Sequence, residues 1–287
     1  MKKFVPSSKE YTKDMLPQTR KAVFFDVIKI NFWKLVYLGV ITLAFALLML
    51  AWALVGDLYT GNLNNLLQQS SPQDRESIAL HISQADNFFG LVNIVFWMFF
   101  SVGFAGLQRV IRQYAWGQNV SIGDDFAKGI KQNVSSSLLL ALVVGGGLLL
   151  SKMGYNTASQ LDGGWAFVAM LAVGVFVFFI VPTSAIASVC IPIYGNKFTN
   201  TLKMAFAVYI KDFLKIWLAL ICCGVWLVPL LIPNLYVRLV GRVVLCLLCP
   251  FLMLAFNLFV YNLLDKTVNV ALHPELIGKG VYSLSEK

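Results

Sequence analysis

Long apolar runs separated by short polar segments dominate the sequence. Six runs of about 18 residues or more contain no charged side chain, and they cover residues 35–55, 88–108, 134–151, 165–194, 216–237 and 243–264. A helix needs about 20 apolar residues to cross the hydrocarbon core of a bilayer. The pattern therefore predicts an all-α, polytopic membrane protein with six transmembrane helices.

Lysine and arginine are distributed unevenly between the segments that join these spans. If the first segment lies in the cytoplasm, the segments on that side hold 19 of the 23 Lys and Arg residues. The opposite side then holds only Arg75, Lys152, Arg238 and Arg242. Because basic residues concentrate in cytoplasmic loops near span ends, we predict that both termini are cytoplasmic.

Three connections are predicted on the outer side. The longest, residues 56–87, is expected to be a loop with short surface helices interrupted at Pro72. Residues 152–164 contain several glycines and are expected to form a simple turn. A short third connection is expected to hold Arg238 and Arg242.

A short motif recurs before each odd-numbered span. A Ser or Thr stands five residues before a Phe that is followed by Ile and Lys, and the copies span residues 19–29, 121–131 and 201–211. The hydroxyl can cap a helix, and Phe and Ile four residues apart share a helical face. We therefore predict three repeated hairpins, each preceded by an amphipathic cytoplasmic elbow helix.

The motif also predicts how the chain is organised. The repeat units lie near 19–108, 121–194 and 201–264, within a six-span membrane domain at 19–264. Parallel repeats in membrane proteins are related by an axis along the bilayer normal, so the hairpins should form a pseudo-threefold bundle. Residues 1–18 and 265–287 are predicted to be cytoplasmic tails.

Composition agrees with a membrane protein and disfavours nucleic-acid binding. Hydrophobic residues make up 58% of the 287 residues and charged residues 13%, with a mean hydropathy of +0.73. Soluble domains average about 25% charged residues. The net charge of +9 is dispersed along membrane-flanking segments, which favours attraction to anionic lipids over binding of nucleic acid.

No set of residues predicts catalysis, a metal or a cofactor. Cys246 and Cys249 form a Cys-x-x-Cys pair, but no acidic or histidine partner accompanies it, so we interpret these cysteines as small apolar residues. His81 and His273 fall on opposite sides of the membrane. Zinc, nucleophile-elbow and phosphate-loop motifs are absent from the sequence. We therefore expect a non-enzymatic protein.

Two groups of polar residues are the candidates for function. Within the spans, Asn93, Thr183 and Asn257 could line a solute path, with interhelical hydrogen bonding as the alternative. The second group lies in the polar hinge at residues 109–133 and in the matching segment before the fifth span. Its members are candidates for contact with a partner or with lipid, namely Arg109, Arg112, Asp124, Asp125, Lys128, Lys131 and Lys211.

The hinge also carries a family resemblance. The stretches 103–107, 116–117, 125–126 and 131–133, with Arg109 and Arg112, resemble the YesL-like family of small bacterial membrane proteins. Residues 191–220 are similar to the second half of that family, so the resemblance covers about residues 33–264. The chain has Phe104 where the family commonly has a proline after the glycine. The family has no established activity and no defined site residues.

Members of that family tend to be encoded beside carbohydrate-uptake ABC transporters and glycan-degrading enzymes. The resemblance therefore implies a protein of the bacterial cell (inner) membrane that assists or regulates ABC-type carbohydrate uptake. Its expected partners are the lipid bilayer and ABC transporter subunits, which the inner elbows would contact. Two alternatives stay open, a small-solute transporter or channel and a protein that binds lipid or a lipid-linked sugar. The sequence does not define an oligomeric state.

Overall fold

Six long helices make up most of the protein. The computed structural model describes residues 17–161, 163–232 and 234–281. The helices are α1 (Arg20–Gln69), α2 (Arg75–Ala115), α3 (Ile122–Ala158), α4 (Gly164–Tyr194), α5 (Phe198–Gly224) and α6 (Leu235–Lys266). Each is long and apolar enough to cross a membrane, with α5 counted together with the 3-10 turn that continues it to Leu231. The prediction of an all-helical protein with six candidate spans is confirmed, while most of the predicted N-terminal tail lies outside the described residues.

The six helices form a ring in chain order. Each packs against its neighbours in the chain, and α6 closes the ring against α1. The even-numbered helices α2, α4 and α6 also contact one another, so they line the centre, whereas α1, α3 and α5 lie mainly between their neighbours. The threefold repeat of hairpins stays a prediction.

Both described ends of the chain lie at one end of the bundle. A guanidinium nitrogen of Arg20, in the first turn of α1, lies 2.7 Å from a carboxylate oxygen of Asp265, in the last turn of α6. The chain continues there into a short helix, α7 (Val268–Leu272), and a 3-10 turn, Pro274–Leu276. We call this end of the bundle the terminal face and the opposite end the hairpin face.

The backbone bends directly after two of the three predicted elbows. α1 departs from helical geometry at Asn31 (φ −117°, ψ 21°), and α5 departs from it at Asp212 (φ −129°, ψ 33°). These positions follow Lys29 and Lys211 closely. α3 shows no such bend along its described residues. Separate elbow helices in all three units therefore stay a prediction.

The helix starts agree with the motif only in part. Thr19 caps α1, because its hydroxyl oxygen accepts a hydrogen bond from the backbone N–H of Ala22 at 3.2 Å. Ser121 directly precedes α3. The expectation that Thr201 begins a helix is wrong, since α5 already begins at Phe198 and the Thr201 hydroxyl points back to the Lys197 carbonyl.

The hairpin face differs from the predicted loops. Residues 56–87 belong almost entirely to α1 and α2, which are joined only by residues 70–74. Apolar residues at helical spacing continue each span, and extending an existing helix adds one hydrogen bond per ordered residue. Likewise, α3 continues to Ala158 before the next connection.

Arg238 and Arg242 also lie in a helix instead of a connection. The apolar run at 216–237 is divided by a 3-10 turn, Val225–Leu231, that contains Pro229. Asn234 then caps α6, since its side-chain oxygen accepts from the backbone N–H groups of Tyr236 and Val237 at 3.0 and 3.2 Å. A new helix therefore begins before the two arginines.

Buried side chains concentrate in the half of the bundle next to the terminal face. The largest fully buried residues there come from five of the six helices, and they include Leu35, Leu107, Ile186, Ile216 and Leu254. Among the described residues, none is buried at 51–100, 159–181 or 217–240. The terminal half is thus the packed core, and the hairpin half is more open.

Candidate functional site: a polar column in the central helices

One polar residue from each central helix meets in the packed core. The side-chain amide of Asn257 on α6 donates to the amide oxygen of Gln108 on α2 at 2.8 Å. The amide of Gln108 in turn lies 3.5 Å from the Ser188 hydroxyl on α4. Asn257 is 0% exposed and Gln108 is 2% exposed. Because a buried polar group without a partner is unfavourable, this layer favours one mutual arrangement of α2, α4 and α6.

A second layer lies one helical turn closer to the terminal face. It contains Arg112, Pro192 and Tyr261, each four residues after a member of the first layer and therefore on the same helical face. The Arg112 guanidinium donates to the Pro192 carbonyl and lies 4.9 Å from the ring centre of Trp116. In the described part of the chain, no carboxylate lies within 4 Å of Arg112, so its charge faces a carbonyl and an aromatic ring.

A third layer closes the column at the terminal face. The Asp265 carboxylate accepts hydrogen bonds from Arg20 at 2.7 Å and from Asn269 at 2.8 Å. The Tyr194 hydroxyl donates to Asn269 at 2.6 Å. The carboxylate therefore ties the start of α1 to α6, and through Asn269 to α4.

The segment after α6 covers this layer. The Gly278 backbone N–H lies 3.3 Å from Asp265, and the Lys279 ammonium lies 4.9 Å from the ring centre of Trp116. Gly280 has φ +81° and lies so close to the Ala115 carbonyl that a side chain there would collide with it. A cavity of about 10 Å³ lined by Arg20, Tyr261 and Asp265 lies beneath this segment, with room for about one water molecule. We call the three layers together the polar column.

The hydrogen bonds and the ion pair of the column hold helices together. It contains no histidine and no nucleophile beside a base. Across the described ranges, no group of three or more His, Cys, Asp or Glu side chains could hold a metal ion. Apolar residues that are fully buried, including Leu107, Ile186 and Leu254, pack around the first layer.

Two predicted site residues form the internal structure of the hinge. The buried carboxylate of Asp125 accepts from the side-chain amide of Gln113 at 3.0 Å and from the Ser121 backbone N–H at 2.9 Å. Arg109 lies 4.0 Å from the same carboxylate and also donates to the Gln132 side chain. Asp125 and Arg109 therefore connect the end of α2 to the start of α3.

The other hinge candidates lie on the surface. Asp124, Lys128, Lys131 and Lys211 are all exposed at the terminal face. Asp124 accepts from the Ser121 hydroxyl at 3.2 Å, and it forms no ion pair with Lys128 among the described residues. Asp124 and Lys128 stand four residues apart but do not pair, and these side chains are accessible from outside the bundle.

The three intramembrane candidates do not form one site. Asn257 lies in the polar column, where the alternative of interhelical hydrogen bonding is confirmed. Asn93 is 15 residues before Gln108 on α2, which places it about 22 Å further along the helix axis. A buried side-chain oxygen on Asn93 and another on Thr183 have no hydrogen-bond partner in the described structure.

Several residues of the column escaped prediction from the sequence. Gln108, Tyr261 and Asp265 stand at or near the ends of apolar runs, where polar residues are ordinary, and Arg20 stands in the polar segment before the first run. The sequence did contain one signal. On each even-numbered span, a polar residue is followed four positions later by another polar residue or by a proline, at 108 and 112, 188 and 192, and 257 and 261. That signal has meaning only once the three helices are known to meet.

Six long apolar helices make this a multi-pass membrane protein, and the described part of the chain is helical apart from its connections. Comparison of the chain with protein-family models, with curated proteins and with solved structures finds no match.

Proposed function

We propose that the protein is a non-enzymatic membrane protein that assists or regulates ABC-type carbohydrate uptake, and that it binds a transporter subunit through its terminal face. The observation that supports docking is the hinge. Hydrogen bonds to Asp125 join the start of α3 to the end of α2, while Asp124, Lys128 and Lys131 are exposed. The carbohydrate system as partner rests on the resemblance to the YesL-like family.

The charge of the terminal face supports a partner with an acidic surface. Exposed lysines include Lys128 and Lys131 on α3 and Lys203 and Lys211 on α5. The acidic residues nearby are partly neutralised within the protein, since Asp125 lies beside Arg109 and Asp265 pairs with Arg20. Complementary charge mainly increases the rate and the specificity of association.

The packed core favours docking over transport. A solute path between the hairpins would need polar side chains that face a continuous cavity. Asn257 is instead fully buried in a hydrogen bond with Gln108. The small cavity at the terminal face and an open cleft at the hairpin face both lie away from Asn93, Thr183 and Asn257.

Affinity purification from native membranes tests the docking proposal. The tagged protein, purified from cells grown on glycans, should enrich a permease or nucleotide-binding subunit. Combined Lys128→Gln and Lys131→Gln substitutions should reduce that enrichment about threefold or more, because two exposed charges are lost from the contact. Lys152→Gln, which removes a partly exposed charge at the hairpin face, serves as the matched control.

Two outcomes of the purification contradict the docking proposal. Wild-type protein that enriches no transporter subunit, although it is folded and abundant, excludes this partner. Equal loss of enrichment in the Lys152→Gln variant would show that the effect does not arise at the terminal face.

A further inference from the structure

The α1–α2 hairpin projects well beyond the apolar spans. Asp57 is the first charged residue after the uncharged stretch of α1, and both Arg238 and Arg242 pair with it at 2.8 and 2.7 Å. α1 continues from Asp57 to Gln69, which adds about 18 Å of helix. We call residues 57–87 the tip.

The tip has no hydrophobic core of its own. Within residues 57–87 no residue is buried, although the segment is helical on both sides of its turn. Isolated short helices are marginal in water, and most helical stability comes from packing of an apolar face. Ion pairs at Asp57 and Asp86 join the base of the tip to α6 and α3, but the tip leaves apolar surface that the described part of this chain does not cover.

Exposed leucines form a band at one level of the tip. Leu66 is 54% exposed and stands four residues before the turn begins at Ser70. Leu80 is 59% exposed and stands six residues after the turn ends at Asp74. Both therefore lie at a similar level along the hairpin and leave apolar surface exposed there.

The charges beside this band are self-complementary. An open cleft of about 580 Å³ is lined by Leu67, Gln68, Arg75, Glu76 and Ala79. Arg75 and Glu76 carry opposite charges, both are exposed, and neither forms an ion pair with another described residue. A twofold axis brings the arginine of one copy next to the glutamate of the other, twice in one interface.

We propose that the tip is a dimerisation surface and that its occupant is the tip of a second copy of this chain. The two hairpins pack side by side around an axis along the bilayer normal and form a four-helix bundle. The leucine band is buried between the copies, and Arg75 of each chain faces Glu76 of the other. This interface is independent of docking at the terminal face.

Charge exchange tests the proposal on the full-length protein. Arg75→Glu alone or Glu76→Arg alone places like charges together at both symmetric positions, and each should raise the dimer dissociation constant about two- to thirtyfold. The double variant restores opposite charges and should return the constant to near the wild-type value. The measurement is molar mass by light scattering over a dilution series in a mild detergent.

Cysteine cross-linking in membranes tests whether the two copies touch at the tip. In a background in which the five native cysteines are replaced, Leu66→Cys or Leu80→Cys should give a disulfide-linked dimer on mild oxidation. Tyr155 is an exposed position on α3 toward the hairpin face, and Tyr155→Cys should not give a disulfide-linked dimer. The proposal is overturned if the wild-type protein is monomeric at every concentration, or if the double charge variant dimerises as weakly as the single variants. Cross-links to a different protein also overturn it.

Discussion

Asn257 and Gln108 show how much one hydrogen bond matters when no water can replace it. Their amides meet at 2.8 Å, and both side chains are almost completely buried. Removing one amide leaves the other unsatisfied, whereas removing both leaves no unsatisfied amide. The pair therefore mainly favours one packing arrangement of the central helices over others.

We expect Asn257→Leu to destabilise the protein by about 1–3 kcal/mol, because the Gln108 amide loses its partner. Adding Gln108→Leu should recover much of that loss, with a coupling energy of about 0.6–1.7 kcal/mol. Thermal unfolding in detergent, monitored by circular dichroism for the wild type, both single variants and the double variant, measures this coupling energy. Additive effects of the two substitutions would contradict this assignment.

Asp124 and Asp125 are neighbours in the hinge, but they should contribute differently to the stability of the protein. Asp125 is buried and accepts two hydrogen bonds, while Asp124 is exposed. Asp125→Asn should lower the free energy of unfolding by about 1–3 kcal/mol, since one oxygen acceptor becomes an amide donor. Asp124→Asn should change it by less than about 0.5 kcal/mol. Equal effects in chemical denaturation would show that the hinge does not depend on the buried carboxylate.

At the scale of helices, close approach depends on small residues at particular crossings. A Cβ atom added at Gly39 of α1 would come 2.5 Å from the backbone carbonyl oxygen of Leu247 on α6. Backbone cannot move aside as a side chain can. This crossing lies where the last helix closes the ring against the first.

Gly39→Ala should therefore destabilise the protein by about 1–3 kcal/mol or separate α1 from α6. Gly146→Ala is the control, because nothing lies within 4 Å of the added methyl group. Alanine also has the higher helix propensity, so the control should be neutral or slightly stabilising. Unchanged unfolding of Gly39→Ala would mean that the helices can shift apart freely at this crossing.

Helix existence was predictable from the sequence, but helix ends and partners were not. Uncharged runs identify six spans because only a helix satisfies its own backbone in lipid. They do not show where a helix stops beyond the membrane, so the sequence predicts a loop at residues 56–87 where the structure has helices. The start at Asn234 depends on a side-chain cap, and the pairing of Gln108 with Asn257 joins residues 149 positions apart. Such contacts carry no local signature.

At the scale of the whole molecule, basic residues divide the bundle into two unlike faces. The terminal face carries most lysines, whereas Asp57, Asp74, Glu76 and Asp86 all lie toward the hairpin face. Arg238 and Arg242 share Asp57 there, and Lys152 pairs with Asp86. The basic excess is therefore confined to one face.

We expect the terminal face to lie in the cytoplasm, because that face carries the lysine excess. A fluorescent reporter that folds only in the cytoplasm should be active when fused after Lys287, and a reporter active only outside should be active when inserted at Pro72. The opposite pattern would invert the predicted topology.

The ion pair between Arg20 and Asp265 has a consequence for biosynthesis. Of the six helices, α1 leaves the ribosome before the others and its ring neighbour α6 follows them all, so one side of α1 faces lipid or an insertion factor until α6 is made. Closure then joins the first and the last helix of the ring. A nascent chain interrupted before α6 would lack that closure, and cellular quality control could recognise it by its unclosed first helix.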